Sequence, residues 1–169
     1  MQKNDTNADS VYNTKLKFDS QKLIDIWKTL DTSKDQLCVT SKDVLDGVGS
    51  LQNSGKTMYD YKELNPLFHN TYLEEVLNIV NHKVGQTYRV RFMNMQPRSA
   101  YRLHSDQGLR YHIPLITEKG CYFIIDDNLY EMLEIGSLYG FDGRKKHTAI
   151  NASKNNSHRL HLLFTTDSK

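Results

Sequence analysis

Residues 102–115 read RLHSDQGLRYHIPL, and the alternation that begins at Leu109 decides the fold class. Leu109, Tyr111, Ile113 and Leu115 fall on one parity of an extended segment, while Arg110 and His112 fall on the other. Successive side chains of a strand point to opposite faces, so the segment predicts a strand with an apolar back and an Arg/His front. The pattern returns in HRLHLLFTT (158–166), where Leu160, Leu162 and Phe164 share one face and Arg159 and His161 the other. An ordinary sandwich core does not tolerate such groups unpaired. Two strands of this kind predict a polar-lined interior.

Outward from these strands the texture stays β-rich. TYRVRFMNM (87–95), GCYFIID (120–126) and SLYGF (137–141) are short apolar runs punctuated by Gly, Pro, Asn and Asp. The front of the chain is helical. DSQKLIDIWKTL (19–30) offers Asp19 as an N-cap, with Leu23, Ile24, Trp27 and Leu30 at helical spacing, and Trp27 reads as core. NTYLEEVLNIVNHKVG (70–85) repeats the device, with Asn70 as cap, a stripe of Leu73, Val76, Leu77 and Val80, and Gly85 as stop. Between them residues 48–66 read as a long polar connection, and residues 1–14 as a flexible N-terminus. The expected architecture is α+β, mainly β. A single domain spans 15–169 with a β core over about 86–166, and the N-terminal helices pack on one sheet.

Composition narrows the function classes. The 169 residues are 38% hydrophobic, enough for one domain with a real core. A net charge of +2 from scattered basic residues argues against nucleic acid as a partner. Cys38 and Cys121 lie far apart and form no CxxC, so neither a zinc site nor a disulfide framework is indicated. There is no apolar run for a membrane span and no signal-peptide core, so the expectation is a cytoplasmic protein without a membrane partner.

The chemistry sits in three places. His104-Ser105-Asp106 is an H-x-D whose outer residues project to the same side of an extended segment. A histidine nitrogen beside a carboxylate supplies two of the three groups of the facial triad that holds non-haem Fe(II). Alone the motif is weak. With seven histidines and 20 acidic residues, roughly one H-x-D or H-x-E arises by chance, most often as a surface pair. The ordered set is stronger: His147 follows Asp106 by about 40 residues and can complete a triad from another strand, and Arg159 follows on the next strand. Arginine grips a carboxylate through two parallel hydrogen bonds, which lysine cannot do. Elsewhere, Arg144-Lys145-Lys146 reads as a solvated run and His158 and His161 as structural histidines. Tyr88, Arg89 and Arg91 read as alternating strand surface, with a substrate mouth as the alternative.

Residues 86–166 resemble the aspartyl/asparaginyl β-hydroxylase family of Fe(II)- and 2-oxoglutarate-dependent oxygenases, which are double-stranded β-helix (jelly-roll) enzymes. MNMQPRSAYRLHSD (93–106) is similar to the family's strand, proline turn and first metal histidine. LRYHIPL (109–115) is similar to its R-x-H-hydrophobic-P-L signature, IGSLYGFDGRKKHTAIN (135–151) to its Gly, Phe-Asp and distal histidine, and HRLHLLF (158–164) to its arginine strand. The resemblance implies a double-stranded β-helix barrel in which His104, Asp106 and His147 ligate iron. It implies Arg159 as the partner of the distal carboxylate of 2-oxoglutarate, with Arg110 and His112 helping to hold the cosubstrate. The implied reaction is hydroxylation with O2 of an amino acid or a peptide or protein side chain of Asp, Asn or Pro type, releasing succinate and CO2. The full H-x-D resembles the bacterial branch that includes free amino acid and proline hydroxylases. The family's cosubstrate serine has no counterpart, Met93 or Asn94 standing in that region. The alternative is a non-catalytic cupin-like module that binds a metal or small molecule. A purely structural domain is disfavoured by the Arg/His strand faces.

Overall fold

The computed structural model describes residues 10–167. Ten strands and two helices follow the expected helical front and β-rich back, and the strands at Val11–Lys17, Gln36–Cys38, Ser99–Ala100 and Asn128–Glu131 are additions. Val11–Lys17 forms β1, where a flexible N-terminus was expected through residue 14; residues 1–9 of that segment lie outside the described residues. β1 is an edge strand with only Val11 fully buried, which is why its sequence looked like polar tail.

Helix α1 (Ser20–Lys28) starts where Asp19 Oδ1 accepts from the backbone N–H groups of Gln21 and Lys22. That satisfies two of the orphan donors of a helix start. Helix α2 (Tyr72–Val84) is capped one residue later than expected, at Thr71. Asn70 adopts φ 61° instead, and its backbone N–H donates to Glu74 Oε2 at 2.8 Å. The connection between the helices carries β2 (Gln36–Cys38) and two short 3₁₀ turns, Met58–Asp60 and Pro66–Phe68.

The remaining strands are β3 (Thr87–Met95), β4 (Ser99–Ala100), β5 (Leu109–Ile116), β6 (Cys121–Ile125), β7 (Asn128–Glu131), β8 (Ser137–Asp142), β9 (His147–Asn151) and β10 (Arg159–Thr166). They form two antiparallel sheets: a six-stranded one in the order β1-β8-β5-β10-β3-β2, and a four-stranded one in the order β4-β9-β6-β7. This is the expected jelly-roll arrangement, built as a pair of facing sheets with no closed barrel among the described residues.

Each face of the large sheet has a distinct job. Its outer face carries Val90, Phe92, Ile113, Leu115, Leu160, Leu162 and Phe164. They pack with Leu23, Trp27, Leu73, Val76 and Val80 of the helices into the main core. Truncating one of these large side chains to Ala typically costs about 2–5 kcal/mol. The inner face meets the small sheet through a thinner apolar layer that includes Met95, Phe123, Ile125 and Phe141. Here the polar side chains of β3, β5 and β10 also turn inward. The predicted parities of β5 and β10 hold. Cys38 and Cys121 are free and buried. No helix among the described residues is long and apolar enough to cross a membrane.

Candidate active site

Two backbone hydrogen bonds set the two candidate metal histidines side by side. His104 N–H donates to His147 O at 3.1 Å, and His147 N–H donates to His104 O at 2.8 Å, an isolated antiparallel bridge. Residues directly opposite in such a pair share a face. Asp106, two residues further along, shares that side and is tied by its N–H to Gly143 O at 2.7 Å. Asp106 Oδ2 lies 3.6 Å from Nε2 of His104 and 3.6 Å from Nε2 of His147. The ligand-type atoms of the three residues all lie within 4.8 Å of one another. Three atoms no farther apart than that share a point within about 2.8 Å of each, a small shift from the ~2.0–2.2 Å bonds of nitrogen and oxygen ligands.

The outer hydrogen bonds suit the same role. His104 Nδ1 lies 2.6 Å from Arg102 O, and His147 Nδ1 lies 2.8 Å from Lys145 O. A carbonyl only accepts, so Nδ1 carries a proton in both rings, and the Nε2 atoms face Asp106. Ligating histidines are oriented in this way. Burial alone would raise the Asp106 carboxyl. The adjacent His147 ring, then the charge of Arg110, outweigh it and hold the group well below the usual carboxylate range.

Arg110 Nη2 lies 3.1 Å from Asp106 Oδ2, and its Nη1 donates to Thr165 Oγ1. Gly143 leaves room for that arginine: a Cβ there would stand 2.9 Å from Arg110 Cγ and 2.9 Å from Gly108 O. Arg110, offered by sequence as a cosubstrate residue, is thus brought first to the candidate metal ligand.

Behind the triad lies a cavity of about 70 Å³, between the sheets, room for about five waters by the ~10–15 Å³ that one requires. Asp106, His147, Phe123 and Phe141 stand on its lining, as do Arg91, His112 and Arg159. Arg159 is 2% exposed, its Nε has no partner, and no carboxylate pairs with it among the described residues. Burial pulls it down to about 10, still protonated at neutral pH. Arg91 donates from Nη1 to Gln36 Oε1 at 2.8 Å, and burial, then Arg89 and Arg110, pull it down to about 9.

His112 and His161 form a buried pair with Nδ1 atoms 3.2 Å apart. Burial, then the charge of Arg159, drives both well below the usual histidine value, so both rings are neutral. His161 Nε2 is buried without a partner. An orphaned acceptor is tolerated better than an orphaned N–H. His161 therefore carries its proton on Nδ1, donates it to His112 Nδ1, and leaves His112 as the Nε2–H tautomer on the cavity wall.

Sequence reasoning undervalued Arg89 and Arg91. Both turn inward, Arg91 into the cavity and Arg89 onto the carbonyls of Gly47 (Nε, 2.7 Å) and Gly49. The alternation of TYRVRF carried the same signal as β5 and β10. The structure adds a register shift opposite Leu163–Thr165 and φ 49° at Arg89, a bulge that re-aims the arginine. Met93 lines the cavity, while Asn94 points away and donates to Thr32 O at 3.2 Å. Arg144 and Lys145 pair with Asp142 and Asp126 at the surface, as a solvated run should.

In front of the triad, an open cleft of about 910 Å³ runs between residues 49–58 and 101–107. Tyr101, Asp106 and Arg110 line both spaces, so the triad stands at the neck between cleft and cavity.

Similar solved structures include a Pseudomonas putida prolyl-4-hydroxylase, at 16% identity and TM-score 0.41 over 58% of this chain and 62% of that one. Others are a variant salicylate 1,2-dioxygenase from Pseudoaminobacter salicylatoxidans (10%, 0.38, 71% and 40%) and Rhodobacter sphaeroides SigE with the anti-sigma ChrR (17%, 0.36, 49% and 40%). The chain spans less than two-thirds of each of these structures. No curated protein matches it. The sequence profile of the Aspartyl/Asparaginyl beta-hydroxylase family matches residues 49–168, well over half of the chain and the whole of the site. The chain belongs to the aspartyl/asparaginyl β-hydroxylase family.

Proposed function

We propose that this chain is an Fe(II)- and 2-oxoglutarate-dependent oxygenase that hydroxylates an amino acid or a peptide or protein side chain, releasing succinate and CO2. Membership of a hydroxylase family supports an oxygenase. Arg159 carries the finer reading. A guanidinium buried without a counter-ion costs stability, and this one shares a cavity with Asp106 and His147. A carboxylate-bearing cosubstrate anchored at the triad supplies the missing partner.

The residues fit both groups. Two neutral imidazole Nε2 atoms and one carboxylate oxygen are the donor set that suits ferrous iron with positions left open. The bidentate fork of Arg159, with Arg91 nearby on the same cavity wall, suits a distal carboxylate. Bound together, iron and 2-oxoglutarate supply the oxidising power to break an unactivated C–H bond. The chain's own residues hold and orient. Asp106 stays ionised, the His112 Nε2–H offers a donor to an anionic ligand, and Phe123 and Phe141 keep the cavity wall apolar beside His147.

The test is anaerobic titration of the protein with Fe(II), then with 2-oxoglutarate, followed by succinate release in air with candidate substrates. Saturable 2-oxoglutarate binding that requires the metal is expected. Metal binding without 2-oxoglutarate binding would instead indicate a non-catalytic cupin-like module.

A further inference from the structure

We infer that the substrate is a net-negative carboxylic acid that carries no free ammonium group. This deepens the proposed function and rests on it.

The argument is a charge count. Arg89, Arg91, Arg110 and Arg159 are buried, with 7%, 5%, 4% and 2% exposure. Among the described residues, Asp106 is the one carboxylate on the linings of the cavity and the cleft. Four guanidinium charges less one carboxylate leave three positive charges unbalanced. Ferrous iron would add two and 2-oxoglutarate remove two, so that pair leaves the excess untouched. The buried histidines are neutral and do not alter it. Burying like charges together is costly unless an anion joins them.

Arg91 and Arg159 line the cavity, and the rest of the excess, at Arg89, faces the cleft where a substrate must approach. Lys56, Arg89, Arg102 and Arg110 line it. Lys56 is balanced by Asp46 at 2.6 Å and Arg110 by Asp106 at 3.1 Å. Arg89 bonds only to carbonyl oxygens, which leave its charge intact. Arg102 is exposed and has no carboxylate partner among the described residues. These two arginines offer a docking point for an anion in the cleft that His104 also lines.

The same lining argues against a zwitterion. An α-ammonium needs an anionic neighbour, and the one carboxylate in the cleft is Asp106, already engaged by Arg110. A free amino acid would set its cation among guanidinium groups. A plain dicarboxylic acid, an N-acylated acidic amino acid or an acidic residue inside a peptide brings no such cation.

Affinities for four probes decide the matter, measured anaerobically on the Fe(II)-loaded protein with and without saturating 2-oxoglutarate. The probes are N-acetyl-L-aspartate, the uncharged N-acetyl-L-asparaginamide, free L-aspartate and a Gly-Asp-Gly peptide capped at both ends. The better of the two capped acids should bind at least about tenfold more tightly than both the amide and the free amino acid, a difference of about 1.4 kcal/mol. Whichever capped acid binds more tightly identifies a small acid or a polypeptide as the source. Arg102→Gln, a surface change, should weaken the acid several-fold and leave the amide unmoved, and Arg102→Glu should weaken it further. Equal affinity for acid and amide, tighter binding of free aspartate, or no binding of either capped acid up to about 10 mM would overturn the inference. Failure of 2-oxoglutarate to bind would sink the oxygenase function alone, because the acid-over-amide comparison is also made without it.

Discussion

The Nδ1 atoms of His112 and His161 lie 3.2 Å apart at the back of the cavity, and one proton must serve both. His161 is the donor, because its Nε2 has no partner to receive a hydrogen. His161→Asn retains a side-chain N–H for His112, whereas His161→Phe removes it. We expect the Asn variant to keep 2-oxoglutarate affinity within a few-fold and the Phe variant to lose about 0.5–1.5 kcal/mol of it, the worth of a typical hydrogen bond. Nitrogen NMR of His112 should show Nε2 protonated in the native protein and a mixed tautomer in the Phe variant. A native His112 protonated on Nδ1 would refute the assignment.

Arg159 gives a prediction in which stability and binding move in opposite directions. Its guanidinium is buried and has no carboxylate partner among the described residues. Arg159→Met, similar in reach but uncharged, should stabilise the ligand-free protein by about 1–4 kcal/mol, as replacement of buried charge by well-packed apolar groups often does. The same change should cost about 2–5 kcal/mol of 2-oxoglutarate affinity and leave metal affinity unchanged. Arg159→Lys should recover part of the binding, since ammonium lacks the planar fork. Denaturant melts with and without 2-oxoglutarate read both effects.

Acid should unfold the protein through its buried imidazoles. His112 and His161 have pKa values well below the usual histidine value in the folded chain. Above pH ~6.5 neither state takes up a proton, so stability is flat. As pH falls below that, the unfolded chain binds protons that the folded chain refuses. Each histidine then costs about 1.4 kcal/mol per pH unit. The Asp106 carboxyl, held low, adds its loss only below its ordinary range near 3.8. Urea titrations between pH 7.5 and 5 should show the slope, and His161→Asn should reduce it by about half.

Gly143 links a backbone choice to the metal site. A methyl there would press on Arg110 and on the Gly108 carbonyl, and Arg110 is the neighbour that charges against Asp106. Gly143→Ala should therefore lower Fe(II) affinity about 10–100-fold, the usual effect of disturbing a ligand's supporting contacts. Asp106→Ala, which removes the ligand itself, should lose more. Co(II) absorption on the folded variants measures both, and native affinity in Gly143→Ala would separate Arg110 from the metal site.

Legibility followed burial. β5 and β10 were readable because one face meets the helices and the other the cavity, so their alternation is complete. The H-x-D and the distal histidine were readable as a set, although only the His104–His147 backbone bridge explains why they meet. β1 was not readable, since an edge strand with one buried side leaves mostly polar letters. Arg91 was visible in the alternation but had no recognised counterpart, and Arg89 depends on a bulge that no local pattern announces. The cap at Thr71 was missed because Asn70 is also a good capping residue; its left-handed backbone turns it out of that role.

The place of β10 in the large sheet has a consequence for biosynthesis. It lies between β5 and β3, so the strand nearest the C-terminal end of the sequence is also the one that joins the sheet's two halves. Until residues 159–166 leave the ribosome, β3 and β5 have no common partner and the helices have no continuous face to cover. At roughly 5–20 residues per second, the roughly 45 residues from β5 to the start of β10 take a few seconds to emerge. During that interval both strands expose unpaired edges, a template for wrong partners. The cavity also lacks Arg159 until β10 docks. A nascent chain can thus hold the triad's letters well before the cavity behind them has its walls.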